Sequence, residues 1–254
     1  MIFLLSTAVA GGWTQPEGAL YAKAGYRAVM GTGGFGAGGD VVELDESYLD
    51  QLVVVYGEYG LTDSWTLVVN AAPIGHARYG DQSTLYTGPD RVGVRRAITT
   101  GAMRTAVEVR YGFTPGLGAV NLAGGDVDFT PGVPGHVVEG EVQLGYGWGP
   151  NWVTASVGGR GHTALSPAML AGLQVGRQWE HLVLDLHLPA TLVLGELNGW
   201  NYMGTGDTNY VGMGVGIGWW FNDTIGLSTA FEAVAFAEAN RAAPTIPLYI
   251  QVRR

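Results

Sequence analysis

The sequence lacks several features that would assign it to a common class of protein. It contains no cysteine, so no disulfide can form; this absence is compatible with export, because a closed β-barrel satisfies its own backbone hydrogen bonds. No apolar run reaches about 18 residues, the length of a membrane-spanning helix. Only 13 of 254 residues are basic, they are dispersed, and the net charge is -9, which argues against nucleic acid as a partner.

Helical patterning is also missing. Glycine, a poor helix former, accounts for 42 residues, and no apolar pattern at three-and-four spacing is sustained anywhere. Hydrophobic residues nevertheless make up 47% of the chain, and only 14% of residues are charged. The remaining class is all-β. Residues 11–254 are predicted to form a single domain, because closed sheets commonly reach this size without splitting.

What the sequence does contain is a regular alternation of apolar and polar residues. Side chains along a strand alternate with period two, so residues 103–111 have one face with Met103, Thr105, Val107, Val109 and Tyr111 and another with Arg104, Glu108 and Arg110. In residues 182–188, four leucines alternate with Val183, Asp185 and His187. The two faces therefore meet different solvents, which predicts a transmembrane, antiparallel, up-and-down β-barrel with lipid outside.

The same patterning and the turn residues between segments predict about twelve strands. They lie near residues 18–30, 48–60, 64–73, 91–99, 102–113, 136–147, 152–162, 168–179, 182–194, 209–220, 224–235 and 245–253. The connections alternate between short turns and the long segments 31–47, 74–90, 114–135 and 195–208. This alternation is typical of barrels of the bacterial outer membrane, and it predicts periplasmic short turns, extracellular long loops and both termini on the periplasmic side.

The alternation also assigns residues to the lumen. The candidates are Lys23, Arg27, Glu58, Asn70, Arg95, Arg104, Glu108, Arg110, Glu139, Glu141, Gln143, Arg160, Gln174, Asp185, His187 and Glu232. Both signs of charge occur, so these groups could pair and close the lumen or line a water-filled pore. Alternate glycines at 212–218 predict a bare inner wall, and their strict period of two separates them from a dinucleotide-binding loop.

Tryptophan is concentrated beside the predicted short turns. This predicts an aromatic girdle at the membrane interface, formed by Trp65, Trp148, Trp152, Trp179, Trp219 and Trp220. At the start of the chain, residues 1–10 are apolar and end in Ala8-Val9-Ala10, a small-x-small pattern that signal peptidase accepts, so they are predicted to be a signal peptide.

Three groups of residues have side chains that could carry chemistry. Asp185 and His187 share a strand face and resemble the aspartate-x-histidine element of omptin proteases, and His162 with Ser166 could form a base and a nucleophile. Neither spacing completes a catalytic site, so the protein is not expected to be an enzyme and no cofactor is predicted. Acidic residues before the second strand could bind a divalent cation, but solvated charge is the preferred interpretation and no metal site is predicted; they are Asp40, Glu43, Asp45, Glu46 and Asp50.

Two segments resemble known families. Residues 12–18, Gly-Trp-Thr-Gln-Pro-Glu-Gly, lead into Tyr-Ala-Lys-Ala-Gly-Tyr-Arg at 21–27, which resembles the opening of XagA-like outer-membrane barrels. Residues 56–65, Tyr-Gly-Glu-Tyr-Gly-Leu-Thr-Asp-Ser-Trp, are similar to a strand, turn and strand of outer-membrane transporters such as the meta-pathway phenol-degradation family. These motifs concern turn chemistry, so they imply architecture rather than cargo.

The sequence therefore predicts a passive outer-membrane channel for small molecules, in contact with outer-membrane lipid and lipopolysaccharide. The alternative is a non-conducting structural or assembly barrel associated with surface polysaccharide, as the XagA-like resemblance implies. A barrel hydrolase is a weaker alternative. The patterning carries no signal for cargo, bore or oligomeric state.

Overall fold

The computed structural model describes residues 13–36, 38–124, 127–197 and 201–254, so the predicted signal peptide at 1–10 lies outside the described residues. The described chain is all-β. Its strands are β1 (Leu20–Phe35), β2 (Val41–Thr62), β3 (Trp65–Ala71), β4 (Gly75–Tyr79), β5 (Gln82–Tyr86), β6 (Asp90–Thr100), β7 (Met103–Thr114), β8 (Gly135–Trp148), β9 (Asn151–His162), β10 (Ala168–Trp179), β11 (Leu182–Val193), β12 (Asn209–Trp220), β13 (Ile225–Glu238), β14 (Asn240–Arg241) and β15 (Thr245–Arg253).

Twelve of these strands close into an antiparallel barrel. Each strand pairs with its neighbour along the barrel, and β1 closes the ring because Lys23 lies opposite Tyr56 of β2 on one side and Gln251 of β15 on the other. Closure leaves no unpaired edge, as a spanning sheet requires. The predicted class, a barrel of about twelve strands, is confirmed.

The remaining three short strands extend the wall at one end. The β4–β5 hairpin pairs with β2, where Leu52 lies opposite Gly75, and β14 pairs with the end of β1. Segment 31–47 was predicted to be a long loop, but most of it is strand, since Phe35 pairs with Val41 across a tight turn. A glycine-rich segment still has a backbone donor and acceptor at every residue, so β1 and β2 continue to pair beyond the strands predicted from the sequence.

The barrel wall is apolar outside and polar inside. Large apolar side chains are exposed along the outer face, including Leu186, Val215 and Phe231, which are 53–54% exposed. Their strand neighbours Asp185, Gly216 and Glu232 line an internal cavity. No helix in the described part of the chain is long and apolar enough to cross a membrane.

The two ends of the barrel differ. At the end with the short turns, the Leu20 amide and the Arg254 carbonyl bond at 2.8 Å, so the first and last barrel strands meet there. At the opposite end, the ring of Phe129 from the β7–β8 connection packs 5.1 Å from Tyr48 and 5.2 Å from Tyr79. Phe129 is fully buried, and its cluster forms an apolar lid over the β2 side of the barrel.

Candidate functional site: the barrel lumen

One side of the lumen is filled by a network of buried ion pairs. Arg95 of β6 contacts Glu58 of β2 at 2.8 Å and Glu108 of β7 at 2.7 Å. Strand pairing explains this, because Arg95 and Glu108 lie directly opposite each other in the β6–β7 register. Glu58 and Glu108 thus pair with the same guanidinium. Buried ion pairs need further hydrogen bonds to offset their lost hydration, and the hydroxyl of Tyr56 donates one to Glu58.

The network continues along the same side through Arg110. Its guanidinium contacts Glu108 at 3.3 Å, Glu139 at 3.2 Å and Glu141 at 3.1 Å. Gln143 donates to Glu108 at 3.3 Å, and Arg91 contacts Glu139 at 3.3 Å. Six of the predicted lumen acids and bases thus lie together on strands β2 to β8 and are bridged to one another; they are Glu58, Arg95, Glu108, Arg110, Glu139 and Glu141.

The segment before β1 enters the lumen on this filled side. The carbonyl of Trp13 accepts a hydrogen bond from Arg95 at 2.9 Å, and Gln15 donates to Glu58 at 2.6 Å. The ring of Trp13 lies over Gly145 of β8, where an added Cβ would approach it to 2.5 Å. Gln15 is buried. Residues 13–16 therefore reduce the bore at the end with the short turns, an arrangement that the alternating pattern did not predict.

A second buried cluster lies beneath the apolar lid. Asp50 of β2 contacts Arg241 at 2.7 Å and Arg27 at 3.3 Å and accepts a hydrogen bond from Tyr86. Burial beside Asp50 raises the pKa of Tyr86 far above its usual value, which keeps the hydroxyl a donor. The expectation that Asp50 belongs to a solvated acidic cluster is wrong, because the β4–β5 hairpin folds over it. Asp40, Glu43, Asp45 and Glu46 are exposed.

The opposite side of the lumen is open. A cavity of about 340 Å³ lies beside β11, β12, β13 and β15, and its lining includes Lys23, Gln174, Asp185, His187 and Glu232. Two further cavities, of about 240 and 250 Å³, adjoin it, and His187 lines all three. Its imidazole contacts Asp185 through Nδ1 at 3.1 Å and Glu232 through Nε2 at 3.5 Å. The cavities therefore meet around His187, and the one of about 250 Å³ extends to Arg95 and Arg110 of the ion-pair network.

Glycine makes this opening possible. Four successive inward positions of β12 are Gly212, Gly214, Gly216 and Gly218, so between Tyr210 at one end and Trp220 at the other this strand adds no side chain to the lumen. The side chains of the neighbouring β11 spread over the bare backbone, with His187 against Gly214 and Asp185 against Gly216.

Lys23 is the basic residue most directly presented to the open side. Its ammonium lies 5.5 Å from the ring centre of Tyr56 and 4.9 Å from that of Tyr249. Within the described residues Lys23 forms no ion pair, whereas Arg27, Arg95 and Arg110 all do. Aromatic faces stabilise a cation without forming an ion pair, so the ammonium of Lys23 lies in the cavity beside two rings rather than beside a carboxylate.

The remaining predicted lumen residues fall into two groups. Arg160 contacts Asp207 at 3.2 Å, which ties β9 to the β11–β12 connection, and Gln174 donates to Asp185 at 3.0 Å. Asn70 and Arg104 are partly buried, and their side chains form no hydrogen bond or ion pair with any residue that the structure describes.

The predicted tryptophan girdle needs a correction. Trp65, Trp148, Trp179 and Trp219 are 37–48% exposed at the short-turn end, but Trp152 and Trp220 are only 5% and 3% exposed and line the large cavity. Both lie at positions that alternate in step with the lumen-facing residues of their strands. This alternation, and not proximity to a turn, therefore decides that their side chains point inward. Outside the barrel, Arg96 and Arg177 lie over the rings of Trp65 and Trp179, a position suited to long basic side chains at an interface.

The catalytic candidates are arranged differently from a hydrolase site. Both nitrogens of His187 face carboxylates, from Asp185 and Glu232, and neither faces a hydroxyl. The hydroxyl of Ser166 donates to the carbonyl of Glu196 at 2.7 Å, and Nδ1 of His162 accepts from the amide of Ala164 at 3.0 Å. These contacts give each candidate a structural partner.

Several residues of the lumen were missed from the sequence. Arg91 shares the parity of Arg95 and could have been found from it. Asp50 and Tyr56 share the parity of Glu58 in β2, but Asp50 was grouped with the acids that precede it. Trp13 and Gln15 precede the first strand, where alternation gives no signal, and Arg241 lies in the two-residue strand β14.

No protein-family model and no curated protein matches the chain. Solved structures do match in fold. An outer membrane channel from Pseudomonas putida F1 superposes with a TM-score of 0.73 at 14% identity, over 97% of this chain and 99% of that one. The translocator domain of the autotransporter NalP from Neisseria meningitidis matches with a TM-score of 0.55 at 13% identity, over 94% and 89% of the two chains.

A third match is the KdgM porin in complex with disordered oligogalacturonate, with a TM-score of 0.52 at 4% identity, over 91% of this chain and 98% of the porin. At these identities the likeness concerns the fold. The chain therefore has the fold of the outer-membrane β-barrels, and the matched barrels include channels and porins.

Proposed function

We propose that the protein is a β-barrel of the bacterial outer membrane that passively conducts small molecules through its lumen. The observation that carries this proposal is the open space in the lumen, where three adjoining cavities meet at His187. A barrel built only as a support has no need of a strand with four successive inward glycines, from Gly212 to Gly218, since side chains would fill the space and add contacts.

The outer surface supports the membrane location. Apolar side chains exposed around the whole barrel, such as Leu188, Ile217 and Ile250, would form a patch far larger than water-soluble monomers tolerate. Hydrocarbon is the solvent that suits this face, with lipid and lipopolysaccharide as the surrounding molecules. In this orientation the short turns, with Leu20 and Arg254 beside them, lie on the periplasmic side.

The filled side of the lumen favours a second candidate. The ion-pair network of Arg95 and Arg110, together with Trp13, closes part of the bore. If thermal motion never opens a continuous path past these residues, the protein is a structural or assembly barrel, as the XagA-like resemblance implies. Catalysis is not part of either proposal, because the hydroxyl of Ser166 and the imidazoles of His162 and His187 are not arranged as a nucleophile with its base.

Liposome swelling distinguishes the two candidates. The purified full chain is reconstituted into liposomes, and its folding is verified by the heat-dependent change of migration that intact barrels show on gels. A channel admits small sugars and excludes larger ones, because the ion-pair network and residues 13–16 narrow the lumen. Folded protein that admits no solute of any size would contradict the channel and leave the structural barrel.

A further inference from the structure

The described lumen is divided into a closed side and an open side. The closed side holds Arg95 and its partners, and it is covered at one end by Trp13 and at the other by the lid around Phe129. The open side follows β11, β12 and β13, where the cavities of about 340 and 240 Å³ share His187 and Glu232 in their linings. Those two side chains therefore stand between the two cavities.

Resting on the proposed channel function, we propose that solutes cross the barrel along the glycine face of β12, and that His187 with Glu232 forms the gate between its two cavities. The gate is narrow because Nε2 of His187 and Oε1 of Glu232 are 3.5 Å apart. It can open because the side chain of Glu232 is 42% exposed, whereas Glu58 and Glu108 on the closed side are at most 2% exposed.

Gly214 determines where the imidazole of His187 lies. A Cβ built on Gly214 would overlap the outer atoms of the imidazole, with Nε2 nearest. The overlap involves the far end of a side chain, so a methyl group at position 214 displaces the ring from the wall instead of preventing strand pairing. The displaced ring has only the lumen to enter, which narrows the path.

The charges along this path define the solutes that it suits. Asp185 and Glu232 place two carboxylates at the gate, and Lys23 places an unpaired ammonium in the same cavity. A wall with both signs gives no large barrier or well to either ion, but it offers hydrogen bonds to neutral or zwitterionic polar molecules. Small polar solutes bearing both donors and acceptors are the class that fits.

Single-channel conductance in planar bilayers tests the path with one-methyl substitutions. Gly214→Ala is compared with Gly140→Ala, which adds the same methyl group to the outer face of β8, where nothing lies within 4 Å. We expect a severalfold loss of conductance for Gly214→Ala and wild-type conductance for Gly140→Ala. His187→Ala removes the ring and should raise conductance, and the double variant His187→Ala with Gly214→Ala should recover it.

The outcomes separate the path from the channel function. A folded wild-type protein without conductance overturns the channel and the path together. If the wild type conducts, two results would overturn the path but not the channel. The first is a folded Gly214→Ala variant with wild-type conductance, and the second is a double variant that conducts no better than Gly214→Ala. Should Gly214→Ala fail to fold, His187→Ala decides, because unchanged conductance in that variant places the path elsewhere in the lumen.

Discussion

The guanidinium of Arg95 and the carboxylate of Glu58 meet inside the barrel at 2.8 Å, with 2% of each side chain exposed. A carboxylate buried to this degree persists as a charge only beside a compensating cation. The same guanidinium also holds Glu108 at 2.7 Å. Arg95 is therefore the common partner of two buried acids and links β2 to β7 across β3 and β6.

Removal of Arg95 should be costly. Arg95→Ala leaves Glu58 without its nearest cation, and breaking a buried pair in this way costs about 3–5 kcal/mol of unfolding free energy. Urea unfolding of the reconstituted barrel measures the change. Arg96→Ala is the matched control, since its guanidinium lies outside over the ring of Trp65, and such an exposed contact contributes below about 1 kcal/mol. Equal losses in the two variants would contradict the assignment of a buried network.

Trp219 and Trp220 are adjacent but face opposite solvents, which tests the direction of the barrel wall. Trp219 is 48% exposed on the outside and Trp220 is 3% exposed inside. Brominated lipids quench only tryptophans that they contact. We expect Trp219→Phe to remove more of the quenchable fluorescence than Trp220→Phe does. The reverse order would mean that the register of β12 is wrong.

The segment before β1 should limit conduction at the short-turn end. Gln15→Ala removes the hydrogen bond to Glu58, and a bond to a charged group contributes about 1.5–3 kcal/mol. The segment should leave the lumen more often, so the mean conductance should rise and fluctuate more. Glu17→Ala serves as the control, because Glu17 is exposed and its hydrogen bond to Asp63 comes from the backbone amide, which the substitution keeps. Equal traces for both variants would contradict a closing role for residues 13–16.

Glu232 and Lys23 carry opposite charges in the large cavity and should affect ion selectivity in opposite directions. Under a salt gradient, Glu232→Gln removes a negative charge from the path, so the reversal potential should shift toward anion preference; Lys23→Gln should shift it toward cation preference. Glu180→Gln is the control at a turn, where the side chain is 87% exposed and salt screens its charge. Shifts of the same sign for Glu232→Gln and Lys23→Gln would place these residues outside the path.

The period of two was sufficient to predict the twelve strands of the barrel, but not the short strands β4, β5 and β14 or the side chains that fill the lumen. Residues 182–188 could be assigned from the sequence because lipid and water select opposite faces of one strand. Trp220 was assigned to the girdle although its parity is that of Gly218, so in this case the alternation was the better guide. The contact between Gln15 and Glu58 joins residues far apart in the chain, and no local pattern encodes it. Asp50 is buried only because a separate hairpin covers it.

The central claim is that the folded barrel conducts, and planar-bilayer recording of the wild-type full chain tests it most directly. The account predicts discrete single-channel steps, small in size because Trp13 and the Arg95 network occupy one side of the lumen. Protein that is folded and inserted, as judged by its heat-dependent migration and by quenching of Trp219, yet gives no steps would contradict the claim and establish a closed barrel.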